Sequence, residues 1–449
     1  SGDWSSDVCS SDLHVEDPVV VVVRICAVGR TVVVVVWVKE IRRTITVQVT
    51  VYNGGERRGA ASSCVSAGLR READGCDART EARDVADLRA AFGNQQLEWV
   101  AMADEERWAR RRSVRAAARE HDSAITQVTV RYSEGRRKVL VANTDGVFEA
   151  DDQIRTLLSV NCVASGDQGL QTGRETVGYT VGFELFDDHD VEAMAQRAAR
   201  RAITKLAARP APSGQLPVVI ERGGGGVLFH EACGHGLEAD LVNKGASVFS
   251  DRIGELVAAP SVTLVDDGTM GVEWGTVAID DEGCPTQRNT LIEDGVLTDY
   301  MWDHLRSRSA GRPTSGNGRR QSYQHLPMVR MTNTYVTNGD VEPQDIIADT
   351  QNGIYVAQLG GGQVNTATGD FVFGMTEAYL IENGEITAPL REGNLIGNGP
   401  DVLQNIEVVG NDFAMGSPGT CGKDGQGVPV GDGQPTLRVA ALTIGGTAS

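Results

Sequence analysis

From about residue 95 onward, apolar and polar residues recur at spacings that predict regular elements. Apolar residues at helical spacing predict a helix near 97–120. The next stretch, 124–165, alternates apolar and polar residues between Gly- and Asp-containing turns, and this two-residue period predicts an antiparallel meander. A helix followed by a meander indicates a domain of the α+β class.

A second amphipathic pattern covers residues 190–208 and predicts a further helix. Asp190 stands where a side chain can cap the first turn, and Pro210 follows the last apolar position, which favours an end to the helix there. The Pro-rich stretch "RPAPSGQLP" comes next and is interpreted as a linker. We therefore predict a central α+β domain over residues 96–215.

The remaining residues, 216–449, are rich in glycine and in short apolar runs that predict strands. The dipeptide Asn383-Gly384 favours a tight β-hairpin. One helix is expected near the start, after the predicted strand "PVVIE" and the run "RGGGG". The overall prediction is an α+β protein, in which one or more α/β N-terminal domains precede a β-rich C-terminal domain that carries this helix. The predicted strands of that domain include 261–267, 353–365, 371–389 and 434–446.

Residues 1–95 do not fit these patterns. The first 13 residues resemble translated sequencing-adaptor DNA, and residues 54–93 combine Arg, Ala, Gly and Cys without a steady period, as out-of-frame GC-rich DNA would. We favour such an adaptor or frameshift artefact for residues 1–95 and take no functional residue from them. The alternative is a divergent N-terminal region with strands at 17–23 and 31–38.

The composition is that of a folded protein with an acidic balance. The chain has 449 residues, which is too long for one ordinary core, so we expect two or three domains. Its formal net charge of -19 argues against a nucleic-acid surface, because phosphate neutralisation needs an excess of Lys and Arg on some face. The basic run 107–120 has acidic neighbours and is interpreted as a solvated helix face. We expect no nucleic-acid partner.

Cysteine usage and hydropathy bear on the compartment. None of the eight cysteines forms a C-x-x-C pair, so we predict no disulfide framework and a reducing cytoplasm. The Val-rich stretch 19–38 is interrupted by Arg24 and Arg30, so it lacks the roughly 20 uninterrupted apolar residues of a membrane helix. We therefore expect no membrane partner.

The most informative stretch is "FHEACGHGLEAD", which contains His230, Glu231 and His235. The spacing common in zinc peptidases is four residues, which places both imidazoles on one face of a helix. A five-residue step turns them roughly 140° apart, against roughly 40° for four residues. A metal site at this HExxxH motif therefore requires a departure from regular helix.

Two glycines offer that departure. Gly234 and Gly236 flank His235 and weaken a regular helix at that point, by about 1 kcal/mol each relative to alanine. The extra residue can then be absorbed by a π-type bulge or by a wide turn where the helix ends near Gly234. Either arrangement returns both imidazoles to one side of the backbone, so we predict a metal site here.

A catalytic zinc ion needs a third protein ligand and an open position for water. Glu238, three residues past His235, is one candidate, although a carboxylate so placed more often accepts a hydrogen bond from the histidine or lies on a helix surface. Cys421 is the other candidate, because it lies in a Gly-flanked loop with little apolar surface to bury, and its thiolate would bind zinc. Cys233 lies within the motif and is assigned to core packing.

Seven segments carry a family resemblance. They are "GGVLFHEACGHGLEAD", "SDRIGELVAAPSVTLVDDGT", "IDDEGCPTQRNTLIEDGVLTDYM", "GNGRRQSYQHLPMVRMTNTY", "LGGGQV", "LIGNGPDVL" and "GTCGKDGQGVPVGDGQPTLRV". Together they resemble the TldD branch of the TldD/PmbA metallopeptidase family. The resemblance runs from about residue 97 to the end of the chain, and the first 95 residues depart from it.

This resemblance implies a zinc metallopeptidase that hydrolyses peptide bonds of unfolded or short peptides. Its metal ligands would be His230, His235 and Cys421, and Glu231 would be the catalytic general base. The family also implies a heterodimer with a PmbA/TldE-type paralogous subunit around an enclosed cavity. Two other functions are open: a non-catalytic PmbA-type scaffold, against which the retained ligands argue, and a regulator of DNA gyrase, against which the acidic balance argues.

Two further segments are candidates for substrate binding. The segment "GRRQSYQHLP" clusters polar side chains that are suited to stabilising an oxyanion, and each is equally suited to a surface or structural role. The segment "LGGGQV" is interpreted either as an exposed edge to which an extended peptide adds as a strand, or as a flexible turn. The candidate residues in the two segments are Arg319, Arg320, Tyr323, His325, Gly361 and Gly362.

Overall fold

A computed structural model describes most of the chain, which divides into two compact units. The described residues are 19–27, 30–41, 44–53, 56–65, 104–167, 169–391 and 393–446. One unit comprises the described residues within 1–95 together with 138–150, and the other comprises the described residues within 96–137 and 151–449. The adaptor-like residues 1–13 and most of the segment without a steady period, 66–93, lie outside the described residues.

The first unit contains four strands in succession, each antiparallel to the next: β1 Val19–Ala27, β2 Arg30–Ile41, β3 Thr44–Asn53 and β4 Glu56–Val65. Strand β1 also runs parallel to the last residues of β5 (Ile125–Ala142), where Val21 pairs with Leu140. The strands predicted at 17–23 and 31–38 overlap β1 and β2. Their many valines favour extended backbone, since β-branched side chains suit a pleated surface.

The second unit begins with a helix and a set of antiparallel strands. Its first elements are α1 Asp104–Arg119, β5 up to residue 137, β6 (Phe148–Gly166) from residue 151, β7 Gly169–Tyr179, α2 Leu185–Asp188 and α3 Val191–Leu206. The predicted meander, 124–165, coincides with β5 and β6, and β6 pairs antiparallel with β7. The helix predicted near 97–120 is confirmed from residue 104, and residues 97–103 lie outside the described part of the chain.

Helix α3 confirms the predicted amphipathic helix and its cap. The Asp190 carboxylate accepts a hydrogen bond from the backbone N–H of Ala193 at 2.8 Å, which satisfies one of the free donors of the first turn. The buried face of α3 consists mainly of alanines. Such small side chains allow close packing against β7, where a Cβ at Gly173 would lie only 2.0 Å from the carbonyl oxygen of Ala198.

The remaining elements are short and mostly extended. The helices are α4 Gly226–Ala232, α5 Ala239–Val242, α6 His304–Ala310, α7 Pro343–Ala348 and α8 Gly399–Gln404. The strands are β8 Arg209–Pro210, β9 Gly214–Ile220, β10 Leu264–Asp267, β11 Arg288–Glu293, β12 Val296–Leu297, β13 Gly318–Arg319, β14 Met328–Val329, β15 Asn333–Val336, β16 Asn352–Val364, β17 Asp370–Glu382, β18 Glu385–Arg391, β19 Gly393–Asn398, β20 Ile406–Val409, β21 Ala414–Met415, β22 Gly419–Lys423, β23 Gln426–Gln434 and β24 Leu437–Gly446.

Five of these strands close into a ring. The order is β16-β9-β24-β19-β17, and β17 pairs with β16 to complete it. The hairpin between β17 and β18 turns at Asn383 and Gly384, whose φ angles of 55° and 78° both lie in the left-handed region. This is the turn that Asn-Gly favours, and it confirms the predicted hairpin.

A second sheet has the strand order β12-β11-β10-β15-β23-β21, with β22 paired to β23. Helix α4 packs against β15 and β23 of this sheet and against β16 of the ring. The fold of the described residues is thus a mixed α/β fold that is rich in strands. None of the described helices is long and apolar enough to cross a membrane.

Candidate metal centre

The HExxxH motif spans a break between two kinds of helix. Helix α4 ends at Ala232, so it carries His230 and Glu231 in its last turn. A 3-10 turn, Gly234–Leu237, follows and carries His235. Of the two predicted ways of absorbing the extra residue, the helix end near Gly234 is the one present, and no π-type bulge is assigned in this part of the chain.

The two glycines around His235 also have a packing role. A Cβ at Gly234 would lie 2.2 Å from the Met331 sulfur, and a Cβ at Gly236 would lie 2.8 Å from the ring of Phe249. Both distances are far shorter than a van der Waals contact, so any larger residue would push the motif away from its neighbours. These glycines therefore allow the 3-10 turn to approach the core closely.

Cys421 reaches the motif from a distant part of the sequence. It lies on β22, which pairs with β23 so that Cys421 faces Val428. The hairpin turns at Asp424 and Gly425, whose φ angles are 48° and 74°, and such a turn fixes the register of the two strands. The Cys421 side chain is 3% exposed. Its orientation is thus set by the hairpin and by burial.

Three donor atoms converge at this point. Each of three buried residues, His230, His235 and Cys421, offers one ligand atom. These three atoms lie within 4.8 Å of one another. The Cys421 Sγ lies 3.2 Å from His235 Nε2. Donor atoms around one tetrahedral zinc ion are roughly 3–4 Å apart, given bond lengths of about 2.0–2.3 Å. The three donors therefore suit a single ion of this kind.

His230 supports a metal site by an independent observation. Both ring nitrogens of His230 are buried, and neither has a hydrogen-bond partner among the described residues outside the three converging donors themselves. A buried polar atom without a partner costs roughly 1–3 kcal/mol, so such atoms are rare unless an ion or another group satisfies them. A metal ion bound to one of these nitrogens removes that cost.

The protonation equilibria also suit metal binding. Burial alone would raise the pKa of the Cys421 thiol, but His230 and His235 outweigh it and lower the pKa to about 5. Burial would likewise lower the pKa of His235, but Glu238 and Cys421 raise it well above its ordinary value. The metal-free centre therefore favours a thiolate beside protonated imidazole, and a metal ion must displace a proton when it binds.

Glu231 lies at the more accessible side of these donors. Its Oε2 is 3.7 Å from His235 Nε2, and its side chain is 28% exposed while that of His235 is 7% exposed. A carboxylate beside the donors and open to solvent can exchange protons with water and with a substrate. The role of Glu231 as general base stays a prediction.

Comparison with known proteins assigns the chain to a family. The sequence model of the PmbA/TldA metallopeptidase central domain matches residues 100–206, and that of the PmbA/TldA metallopeptidase C-terminal domain matches residues 213–446. The chain belongs to the PmbA/TldD metallopeptidase family. The predicted family is therefore confirmed, whereas the domain limits at residues 95 and 215 stay a prediction.

Individual PmbA/TldD relatives point to the same activity. The chain is 45% identical to the Metalloprotease TldD homolog of Haemophilus influenzae, over 74% of this chain and 70% of that protein. It is 31% identical to the Zinc metalloprotease TldD homolog of Saccharolobus solfataricus, over 70% of each. The fold matches that of TldE from Thermococcus kodakarensis with a TM-score of 0.62 at 18% identity, over 93% of this chain and 91% of that one. The chain is thus a TldD-like metalloprotease.

The two arginines predicted to bind substrate lie inside this PmbA/TldD fold. Arg319 is 4% exposed, and its guanidinium donates to the carbonyl oxygens of Met331 and Pro429. Arg320 lies beside Asp281, which accepts from its backbone N–H at 2.8 Å and whose Oδ1 lies 3.8 Å from the Arg320 Nε. Both side chains thus have structural contacts, and a role in substrate binding stays a prediction for them.

Tyr323 and His325 lie on the loop that follows, 320–327. Both are half-buried. The loop is tied to the hairpin of Cys421, because Gln321 accepts from the backbone N–H of Gly427 at 2.7 Å and Gln426 donates to the carbonyl of Leu326 at 3.0 Å. The hairpin thus connects this loop to the metal centre, while the substrate-binding roles of Tyr323 and His325 stay predictions.

The predicted glycines Gly361 and Gly362 lie on β16 and differ in their surroundings. Both are exposed. A Cβ at Gly362 would lie 2.1 Å from the Phe373 ring, whereas nothing lies within 4 Å of one at Gly361. Gly362 is therefore required by packing, and Gly361 borders open space.

Sequence reasoning missed two residues that contact the centre of this metallopeptidase. Arg330 is fully buried and donates to the carbonyl oxygen of Cys421 at 2.6 Å. The Lys423 ammonium group donates to the Glu238 carboxylate at 2.9 Å. Cys421 was expected in a Gly-flanked loop, whereas it lies buried on β22, where residues two apart share a face, so the loop interpretation hid the relation of Lys423 to Cys421. No local signal exists for Arg330.

Proposed function

We propose that this chain is a zinc-dependent peptidase whose zinc ligands are His230, His235 and Cys421, with Glu231 as general base. The observation that carries this proposal is the convergence of three buried donors around His230, whose ring nitrogens have no other partner among the described residues. Two imidazoles and one thiolate form a ligand set that zinc accepts, and three protein ligands leave a fourth position for water.

The chemistry follows from the nature of these groups. A zinc ion bound there would lower the pKa of its water towards neutrality and polarise the scissile carbonyl. The Glu231 carboxylate accepts the proton of the attacking water at Oε2. The same group then donates that proton to the leaving amide nitrogen, which departs as a neutral amine. Burial of the ligands keeps their donor atoms directed at one point.

The substrate class is inferred from the edge of β16. Strand β9 pairs with β16 only at residues 354–356, and Gly361–Gln363 beyond that point are exposed. Between them, the N–H of Leu359 donates at 2.9 Å to the carbonyl of Gly224, two residues before α4. The exposed part of β16 therefore follows shortly after Leu359, the residue that is hydrogen-bonded to the segment leading into the HExxxH helix. An extended peptide can add to such an edge through main-chain hydrogen bonds, which favours unfolded or short peptides.

The proposed partner is a PmbA/TldE-type paralogous subunit. The support for it is the family resemblance, which implies a heterodimer around an enclosed cavity, and the fold, which matches that of TldE. We place the assembly in the cytoplasm, because a zinc-binding thiolate at Cys421 must stay reduced. The four cysteines whose side chains the structure describes are all free, in keeping with a reducing compartment.

Metal content tests the proposal directly. We expect about one zinc ion per chain, measured by elemental analysis of the purified protein, both alone and with a PmbA-type subunit. The reason is that all three ligands come from this chain, so the partner is not needed to complete the centre. A folded chain that contains no zinc in either preparation would rule out the proposed cofactor.

The form of the substrate provides a second test. One peptide segment should be cleaved when free and resist cleavage when it is part of a stable fold, because a folded host must first lose roughly 5–15 kcal/mol of stability before the segment can extend. The measurement compares initial rates for both forms at equal concentration, with the PmbA-type subunit present. A destabilised variant of the same host is the matched control and should regain cleavage. Equal rates for the free and the stably folded segment would point to an open-cleft protease instead.

A further inference from the structure

The second nitrogen of His235 has a defined partner. His235 Nδ1 lies 3.1 Å from Glu238 Oε2, on the opposite side of the ring from Nε2, which faces Cys421. The Glu238 side chain is completely buried. A buried carboxylate that accepts from Nδ1–H leaves Nε2 as the nitrogen with a free lone pair. Glu238 is therefore placed to select the ring nitrogen that faces the other ligands.

Lys423 holds this carboxylate in place. Its Nζ donates to Glu238 Oε2 at 2.9 Å, to Asp240 Oδ1 at 2.7 Å and to the carbonyl of Val329 at 3.0 Å. These three acceptors use all three protons of an ammonium group. The Lys423 side chain is 9% exposed. A lysine with so little exposure and every donor engaged has one orientation, and it compensates the charge of Glu238.

The same lysine shares a strand with the third ligand. Cys421 and Lys423 are two residues apart on β22, so both side chains leave the same face of the strand. One points to His235 Nε2 and the other to the carboxylate on Nδ1 of the same ring. The β22 strand therefore contacts His235 directly through Cys421 and indirectly through Lys423 and Glu238.

The backbone on both sides of this contact is well fixed. Glu238 forms an isolated parallel bridge with Met301, whose carbonyl accepts from the N–H of Ala239 at 3.0 Å. Lys423 pairs with Gln426 next to the tight turn of its hairpin. Neither side chain has to be ordered when a metal ion arrives, so the contact between them is preorganised.

We propose that Lys423 and Glu238 form a buried positioning pair that fixes the tautomer and ring orientation of His235 and joins the helical half of the metal centre to its strand half. This inference rests on the proposed ligand set. The pair touches neither metal nor substrate, and it acts through His235. Residues that hydrogen-bond to a metal ligand without touching the metal change metal affinity by about 10–100-fold when they are removed.

Three variants of the full-length chain test the pair, with Zn²⁺ and Co²⁺ as probes. Lys423→Met removes the cation, Lys423→Arg keeps it, and Glu238→Leu removes the acceptor while leaving Lys423 paired with Asp240. We expect Lys423→Met and Glu238→Leu to weaken Zn²⁺ binding about 10–100-fold in competition with a chromophoric chelator. Both should also alter the visible absorption of bound Co²⁺, which reports ligand geometry, while Lys423→Arg recovers most of the affinity.

Controls separate this role from general destabilisation. Arg201→Met breaks ion pairs with Glu175 and Glu377 on another part of the fold, so it should lower stability and leave Zn²⁺ affinity unchanged. If Lys423→Met fails to fold, Glu238→Leu supplies the measurement, because it leaves no buried charge without a partner. Folded variants with wild-type affinity and an unchanged Co²⁺ spectrum would overturn the pair alone. A wild-type chain that binds neither ion would overturn the proposed ligand set as well.

Discussion

Cys421→Ala is expected to strip the protein of zinc and to abolish peptidase activity. The substitution removes one of three donor atoms that lie within 4.8 Å of one another, and two imidazoles remain. Removal of a residue that only hydrogen-bonds to a metal ligand weakens metal binding by up to roughly 100-fold. Removal of a ligand itself should weaken zinc binding by more than that. Elemental analysis after gel filtration, with chelator competition for the affinity, measures the effect.

Cys233→Ala is the matched control for this variant. Cys233 is 1% exposed and lies between the two histidines in sequence, but it is not among the converging donors. Burial raises the pKa of its thiol, which keeps it protonated and unsuited to bind an ion. The control should therefore retain zinc and turnover. Stoichiometric zinc in folded Cys421→Ala would refute the cysteine ligand.

Glu231→Gln should have the opposite combination of effects, with zinc retained and turnover lost. Glutamine has nearly the same shape but cannot accept a proton, so the metal donors stay in place while proton transfer fails. General acid–base catalysis contributes about 10²–10⁴-fold, and we expect kcat to fall by about that factor. Parallel measurement of kcat and zinc content on the same sample distinguishes this result from loss of the metal.

An exposed carboxylate nearby in sequence serves as the control. Glu255 is 57% exposed and pairs with Arg252 at 2.9 Å on the surface, where such pairs contribute little. Glu255→Gln should keep both zinc and activity. A Glu231→Gln protein that retains full zinc and more than about a tenth of the wild-type kcat would exclude Glu231 as the base.

Elements determined by nearby residues were predictable from the sequence. Helix α3 follows from its apolar spacing and from Asp190, whose side chain caps it as expected. The hairpin at Asn383-Gly384 follows from two residues that tolerate positive φ. In both cases the determining interactions lie within a few residues of one another, which is the range over which a sequence pattern carries information.

The geometry of the candidate site depends on contacts that no local pattern contains. The sequence offers Gly234 and Gly236 as helix-weakening residues, but the space they leave is occupied by Met331 and Phe249, which come from other elements. Arg319 belongs to a polar, exposed-looking segment, yet its guanidinium is buried between two backbone carbonyls. Whether a charged side chain is buried depends on acceptors that the fold brings from elsewhere, and spacing along the chain does not reveal them.

Synthesis of the chain separates the two halves of the centre in time. His235 and Cys421 are 186 residues apart. Ribosomes add about 5–20 residues per second, so on the proposed ligand set the cysteine is made roughly 9–37 s after the histidine. During that interval the nascent polypeptide carries the HExxxH segment without a complete ion site. On that ligand set, each chain gains hydrolytic capacity only after its own β22 has been translated and paired with β23.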